Sequence, residues 1–166
     1  MANIKLGEDP VKTAGDLPAV GSKAPDFKVT KTDLTDTTLS EFLGKNIVLN
    51  IFPSIATSVC SASVRKFNEL AAGKDNTVVI SVSRDLPFAH KNFCEAEGID
   101  NVIPTSEYKD NGFSDNYHVK MLDGKFEGLL SRCIVVIDPD GKVVYTEQVP
   151  NIGQEPDYDK ALAAIG

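Results

Sequence analysis

The most informative stretch of this chain runs from residue 46 to residue 60 and reads Asn46-Ile47-Val48-Leu49-Asn50-Ile51-Phe52-Pro53-Ser54-Ile55-Ala56-Thr57-Ser58-Val59-Cys60. Residues 46–52 form a nearly continuous apolar run, which predicts a buried strand that ends at Pro53. From Ser58 to Ala72 apolar residues recur at helical spacing, which predicts an amphipathic helix. A buried strand followed directly by a helix is typical of α/β proteins.

The next segments continue the same alternation. Residues 77–82 predict a second buried strand. Asp85-Leu86-Pro87 offers a cap and a first-turn proline for a second helix, which runs to about Glu97 and is stopped by Gly98. The order strand, helix, strand, helix implies right-handed parallel crossovers, so we expect a three-layer α/β sandwich with helices packed on a central sheet.

The last third of the chain adds antiparallel pairing. Residues 133–137 and 143–147 flank the turn-forming segment 138–142, which predicts a hairpin and therefore a mixed sheet. A short helix is expected around residues 114–119, and a closing helix over residues 157–165.

Composition limits the classes of function. The 166 residues are 42% hydrophobic, enough for one domain spanning residues 1–166. The net charge is -7 without a basic cluster, which makes nucleic acid and anionic membranes poor partners. Residues 1–9 lack the apolar stretch of a secretory signal, and no run is long enough to span a bilayer, so we expect a soluble, cytoplasmic protein. Three cysteines are an odd number, which argues against a structural disulfide framework.

Cys60 is the strongest candidate for a reactive group. It lies in the first turn of a predicted helix, where free backbone N–H groups and the helix dipole favour the thiolate, the nucleophilic form. Thr57 has a hydroxyl that can donate to a thiolate or to a bound oxygen atom, and Pro53 can shield the sulfur from water. The alternatives are ordinary: Cys60 also falls on the apolar face of its helix, and Thr57 is also a good helix cap.

Pro53, Thr57 and Cys60 match the Pro-x-x-x-Thr-x-x-Cys motif of the peroxiredoxins, and residues 21–27 resemble the amino-terminal segment of that family. Similarity to the bacterial thiol peroxidases, which are atypical 2-Cys peroxiredoxins, extends over nearly the whole chain. It is carried by residues 64–68, 75–79, 85–89 and 155–158. The resemblance implies a thioredoxin-like three-layer sandwich with a mixed central sheet and an amino-terminal extension.

The same resemblance implies the site residues. Cys60 would be the peroxidatic cysteine, Cys94 the resolving cysteine that forms an intramolecular disulfide with it, and Arg132 a catalytic arginine. A permanent cation can stabilise both the thiolate and the charge that develops on peroxide oxygens, although most arginines are ordinary surface charges. A disulfide needs Cα atoms about 4.4–6.8 Å apart, so we expect the reduced protein to hold the two thiols apart until a helix start unwinds.

The implied reaction is the reduction of alkyl or lipid hydroperoxides, and also of hydrogen peroxide, by a homodimer that thioredoxin recycles. No cofactor is implied, because sulfur itself changes oxidation state. Cys133 is expected to be an inert core thiol. His90 and His118 are expected to be surface or packing residues, and no metal site is predicted, because no closely spaced Cys or His pair is present.

Two positions depart from the family pattern, and two other classes of protein stay open. Ala56 stands where similar thiol peroxidases usually have Asp, which affects the expected rigidity of the loop. Tyr117-His118 stands where an aromatic residue is usually followed by Gly. A disulfide oxidoreductase is disfavoured because position 57 is Thr, so no Cys-x-x-Cys pair exists. A non-catalytic interaction or holdase protein is compatible with composition alone.

Overall fold

The computed structural model describes residues 3–165, and within them strands of two sheets and four α-helices account for the regular structure. The strands are β1 (Ile4–Leu6), β2 (Asp9–Val11), β3 (Lys28–Lys31), β4 (Asp36–Thr38), β5 (Asn46–Ile51), β6 (Thr77–Ser83), β7 (Ile103–Ser106), β8 (Cys133–Ile137) and β9 (Val143–Gln148). The helices are α1 (Ser58–Ala71), α2 (Pro87–Glu97), α3 (Phe113–Tyr117) and α4 (Tyr158–Ala163), and a 3₁₀ turn covers Leu39–Phe42.

The large sheet has the strand order β4-β3-β7-β6-β5-β8-β9 among the described residues. Strands β5, β6 and β7 are parallel, as the strand–helix–strand pattern predicts. Strand β8 runs antiparallel to β5 and forms the expected hairpin with β9. The prediction of a mixed central sheet is therefore confirmed.

Helices cover both faces of this sheet, which confirms the three-layer arrangement. Strand β5 is buried along its whole length because it lies between the two layers. On one face, α1 and α4 pack Phe67 and Ala161 against Val48, and α2 lies beside α1. On the other face, α3 packs Phe113 and Tyr117 against the strands. Among residues 3–165, no helix combines the length and hydropathy needed to cross a membrane.

The amino-terminal extension is the antiparallel hairpin of β1 and β2. Ile4 and Val11 pack on Met121 and Ile152. Lys5 exchanges backbone hydrogen bonds with the segment that follows β9, donating to the Pro150 carbonyl at 2.9 Å and accepting from the Ile152 amide at 3.0 Å. The hairpin is thus attached to the body of the protein through this segment.

Several helix boundaries differ from the predictions. Asp85 does not cap α2: the N-cap is Leu86, which makes no side-chain cap bond, and the Asp85 carboxylate is directed elsewhere. Gly98 ends α2 in the left-handed conformation at φ 66°, as predicted. Helix α3 ends earlier than predicted because His118 adopts a left-handed φ of 58°.

Two further differences lie in the second half of the chain. Strand β7 was not predicted, because its Ile-Pro-Thr-Ser sequence contains a proline and lacks a clear apolar pattern. Helix α4 is shorter than residues 157–165, since Asp157 is its N-cap and accepts a hydrogen bond from the Lys160 amide.

Candidate active site

Cys60 lies above the carboxyl end of β5, at the third position of α1. Its side chain is 0% exposed and packs with Phe52, Ile55 and Val64. The apolar surroundings match the alternative interpretation of a core thiol. The environment of the sulfur is not wholly apolar, however, because one charged side chain contacts it.

That group is Arg132, the residue just before β8. Because β8 is antiparallel to β5 and Cys133 faces Ile51, the start of β8 lies at the carboxyl end of β5. The Arg132 side chain is itself buried, at 2% exposure, and its Nη2 lies 3.2 Å from the Cys60 sulfur. Its Nε donates to the Ile152 carbonyl at 2.8 Å, which fixes the guanidinium. A fixed, buried guanidinium at this distance stabilises a thiolate.

Arg132 retains one free donor. Its Nη1 is buried and has no hydrogen-bond partner among the described residues. A buried unpaired donor costs about 1–3 kcal/mol. The arrangement therefore leaves a donor available beside the sulfur.

Thr57 is the N-cap of α1. Its hydroxyl oxygen accepts from the Cys60 amide at 3.3 Å, and the hydroxyl donates to the Ser54 carbonyl, also at 3.3 Å. The predicted donation toward the sulfur is not made in this conformation, because the hydroxyl hydrogen is used by Ser54. Pro53 is buried directly after Phe52, so the two residues cover the carboxyl end of β5.

A small pocket of about 120 Å³ borders this site: Arg132 and Thr57 line it, whereas the buried Cys60 does not. Arg132 and Thr57 contribute its main polar groups, while Leu6, Phe126 and Ile152 provide an apolar wall. Its other lining residues are Ser58, Val59 and Gly153. The pocket places an apolar surface next to a buried cation.

Cys94 lies in the second half of α2 and is 9% exposed. Burial raises the pKa of its thiol to about 11. It borders a separate groove of about 240 Å³, together with Lys91, Ile99 and Pro104. Cys60, Cys94 and Cys133 are all free thiols in this structure. The two cysteines of the predicted disulfide are therefore present in reduced form, on two different helices.

Cys133 has the environment expected of an inert core thiol. It is fully buried in β8, donates to Gln148 Oε1 at 3.2 Å and lies 3.1 Å from the Ser131 hydroxyl. Burial raises the pKa of this thiol to about 12, which disfavours the thiolate. Cys133 is next to Arg132 in sequence, but its thiol is hydrogen-bonded to Gln148 in β9.

The two histidines differ. His118 is exposed and its Nδ1 lies 2.8 Å from the Asp16 carbonyl. His90 is 1% exposed, with Nε2 2.9 Å from the Ser83 hydroxyl. Burial lowers the pKa of His90 to about 4, outweighing the opposing influence of the Asp85 carboxylate. Within residues 3–165, no group of three or more His, Cys, Asp and Glu side chains is placed to hold a metal ion.

Asp85 was missed by the sequence analysis as a residue of the site region. Its carboxylate accepts from the Ser54 hydroxyl and from the Ile55 amide, both at 2.7 Å. The available signal was topological: Asp85 follows β6, and the carboxyl ends of adjacent parallel strands meet at one edge of a sheet. These bonds hold the loop before α1, in which Ala56 is exposed and donates its amide to Ser54 Oγ at 3.2 Å.

Comparison with known proteins identifies the family of the chain. The redoxin family model matches residues 19–162. The chain is 53% identical to the thiol peroxidase of Mycobacterium tuberculosis, over 100% of this chain and 99% of the relative. It is 47% identical to the thiol peroxidase of Corynebacterium glutamicum, over 99% of each chain.

Solved structures show the same architecture. A peroxiredoxin-like protein from Aquifex aeolicus superposes with a TM-score of 0.90 at 37% identity, covering 97% of this chain and 94% of that one. A thiol peroxidase from Chromobacterium violaceum superposes with a TM-score of 0.89 over 97% and 93% of the two chains, and at 19% identity it supports the fold alone. The thioredoxin-like fold is thus confirmed, and the chain belongs to the redoxin family, among the peroxiredoxin-type thiol peroxidases.

Proposed function

We propose that this protein reduces hydroperoxides with Cys60 as the attacking thiolate and Arg132 as the group that stabilises it. The observation that carries the proposal is the 3.2 Å contact between Arg132 Nη2 and the Cys60 sulfur, with Nη1 of the same guanidinium unpaired. One donor would hold the thiolate while the other binds the peroxide, so the two reactants are aligned by one rigid cation.

In the first step the Cys60 thiolate attacks the terminal oxygen of the hydroperoxide. An S–O bond forms as the O–O bond breaks, the sulfur is oxidised by two electrons, and the alkoxide leaves and takes a proton to become an alcohol. Arg132 stabilises the negative charge that develops on the leaving oxygen. The Thr57 hydroxyl, which accepts from the Cys60 amide, would turn from Ser54 to donate to the peroxide. Pro53 shields the reaction from water.

In the second step Cys94 attacks the sulfenic acid of Cys60, which forms the disulfide and releases water. The buried Cys94 thiol has a raised pKa, so in the present conformation it is a poor nucleophile. Local unwinding at the start of α1 or α2 would both bring the sulfurs together and expose Cys94. Thioredoxin, a dithiol donor, would then return two electrons by thiol–disulfide exchange.

The pocket favours alkyl and lipid hydroperoxides, with hydrogen peroxide as a smaller substrate. Leu6, Phe126 and Ile152 offer an apolar wall to an organic group whose O–O end reaches Arg132. The reaction needs no cofactor, since sulfur carries the electrons. The cytoplasm, a reducing compartment, would supply the reductant to this single domain.

A homodimer is part of the proposal. Leu86, Phe88 and Tyr108 are exposed, at 52%, 57% and 42%, around the start of α2 and the end of β7. In a homodimer, a second copy of the chain would bury these side chains. Analytical ultracentrifugation should therefore show a dimer, and a monomer would contradict this part of the proposal.

One experiment tests the central claim. Reduced protein is mixed with one equivalent of cumene hydroperoxide, and the remaining thiols are alkylated and located by mass spectrometry. We expect loss of two thiols, at Cys60 and Cys94, whereas an interaction protein would lose neither. Cys94→Ser should still form the sulfenic acid, which should accumulate with one equivalent of hydroperoxide and overoxidise when a further equivalent is added. If Cys60→Ser reacted as fast as the wild type, the assignment of the nucleophile would be wrong.

A further inference from the structure

Asp85 joins two loops that follow neighbouring parallel strands. Ser54 and Ile55 belong to the loop after β5, and Asp85 to the loop after β6. Its Oδ1 accepts from the Ser54 hydroxyl and its Oδ2 from the Ile55 amide, each at 2.7 Å. Hydrogen bonds to a carboxylate are about twice as strong as those between neutral groups, so this is a firm connection between segments 30 residues apart.

A short series of bonds connects the carboxylate to the sulfur. Ser54, held by Asp85, accepts at its carbonyl from the Thr57 amide at 3.1 Å and from the Thr57 hydroxyl at 3.3 Å. Thr57 in turn accepts from the Cys60 amide. The position of Asp85 therefore determines where the first turn of α1 begins, and with it the approach of Cys60 to Arg132.

Asp85 is itself held on the other side. The Ser83 hydroxyl donates to its Oδ2 at 2.5 Å, its amide donates to Ser83 Oγ at 3.2 Å, and its carbonyl accepts from the Ser106 hydroxyl. Because the single hydrogen of Ser83 points at the carboxylate, His90 donates Nε2–H to Ser83. Asp85 is thus anchored to β6, β7 and α2, and Pro87 begins α2 two residues later.

We propose that Asp85 is a positioning residue that holds the loop of residues 53–57 in the conformation that attacks peroxide, and that its bonds to Ser54 and Ile55 must open before Cys60 and Cys94 can join. The inference rests on the proposed peroxidase function. It assigns Asp85 opposite effects on the two chemical steps: it accelerates attack and slows disulfide formation.

The test separates the two steps. Rapid mixing with cumene hydroperoxide, acid quenching and mass spectrometry give the rate of sulfenic acid formation and the rate of disulfide formation. In Asp85→Asn the amide nitrogen cannot accept, so at least one bond is lost. We expect sulfenic acid formation to slow by roughly 10-fold, because the sulfur is displaced from Arg132. Disulfide formation should accelerate by about fivefold, because opening costs one hydrogen bond less.

Matched variants complete the design. Ser54→Ala removes the bond to Oδ1 and the longer, 3.2 Å bond that Ser54 Oγ accepts from the Ala56 amide. It should shift both rates in the same directions by smaller factors, whereas Ser54→Thr, which keeps the hydroxyl, should restore them. Asp100→Asn changes an exposed carboxylate just after α2 and should alter neither rate. If thermal unfolding shows that Asp85→Asn does not fold, the two rates of Ser54→Ala are used to test the proposal instead.

The inference is overturned if both rates fall together, or if neither changes in the folded variants. A failure of the proposed peroxidase function can be distinguished from this result, because the wild type itself would then form no sulfenic acid at Cys60.

Discussion

At the scale of single residues, the site is defined by a buried cation and a buried sulfur. Removing a guanidinium from water costs several kcal/mol unless its donors are paired. Arg132 meets this cost with the Ile152 carbonyl and the Cys60 sulfur but leaves Nη1 unpaired. The unpaired nitrogen therefore destabilises the folded protein, and it is the donor that the proposed mechanism assigns to the peroxide.

Replacing Arg132 by Lys tests this directly. A lysine keeps the charge but has no planar fork, so it cannot bond to Ile152, the sulfur and a peroxide in fixed directions. We expect the second-order rate with hydroperoxide to fall by roughly 100- to 1,000-fold, the effect of losing an oriented oxyanion donor. The measurement is stopped-flow kinetics of peroxide consumption.

Arg65→Lys is the matched control. Arg65 lies on the exposed side of α1 and pairs with Glu97 at 3.0 Å. Its replacement should leave the rate within about twofold, as expected of a surface ion pair. Equal losses in both variants would contradict the role proposed for Arg132.

His90 gives a prediction about pH. The pKa of His90 is lowered to about 4 by burial, below its ordinary value of 6.5. Between about pH 6.5 and pH 4, His90 is therefore protonated in the unfolded chain but neutral in the folded protein. The free energy of unfolding consequently falls as the pH drops through this interval. The loss due to this residue should be on the order of 2–3 kcal/mol.

Urea unfolding at pH 7.0 and pH 4.5 measures the effect. In His90→Gln the stability should depend less on pH over this interval, although the variant is less stable at pH 7. An unchanged pH dependence would show that folding does not lower the pKa of His90.

At the scale of elements, the start of α1 combines stability and reactivity. The Thr57 hydroxyl that caps the helix bonds to the cysteine proposed as the nucleophile, since the capped amide belongs to Cys60. Helix α2 ends, in contrast, through backbone conformation, because Gly98 adopts a left-handed φ of 66° at low cost. His118 accepts a similar conformation without being glycine, and its ring bonds to the Asp16 carbonyl.

Thr57→Val separates the hydroxyl from the shape of the side chain. The loss of the cap should lower the free energy of unfolding by about 1 kcal/mol. Peroxide consumption should also slow, by roughly 10-fold or more, because one donor to the peroxide is lost. Thr57→Ser keeps the hydroxyl and should retain most of both properties. A valine variant that lost stability but kept its rate would limit Thr57 to the role of a cap.

At the scale of the whole molecule, the amino-terminal hairpin is part of the site. Lys5 bonds on both sides of the segment 150–152, and the Ile152 carbonyl from that segment orients Arg132. Leu6 from the same hairpin lines the pocket. The extension therefore supports Arg132 indirectly and contributes apolar surface to the pocket.

Leu6→Ser tests the contribution to the substrate. Loss of apolar surface should reduce the rate with cumene hydroperoxide by about fivefold relative to the rate with hydrogen peroxide, which has no organic group to bury. The ratio of the two rates is the measurement. Val20→Ser, at a residue 61% exposed and outside the pocket lining, should leave the ratio unchanged. An unchanged ratio in Leu6→Ser would remove the hairpin from substrate selection.

Local pattern was sufficient for the four helices and for the strands β5, β6, β8 and β9. The apolar run of residues 46–52, the helical spacing after Ser58 and the stop at Gly98 all predicted elements that the structure contains, because strand and helix periods are properties of a short window. The same window placed Cys60 at the start of a helix. It did not find the short strands β1 to β4, nor β7, whose proline and polar residues pair because β3 and β6 lie on either side.

The contacts that make the site were decided by tertiary structure. Arg132 and Cys60 are 72 residues apart, and they meet because β8 pairs antiparallel with β5 and so delivers its first residues to the carboxyl end of that strand. Asp85 was predicted to cap a helix. Its carboxylate instead accepts from the Ile55 amide, because the parallel pairing of β5 and β6 places the loops after these strands side by side. Periodicity specifies an element from its own residues, whereas which elements become neighbours depends on burying all their apolar faces at once.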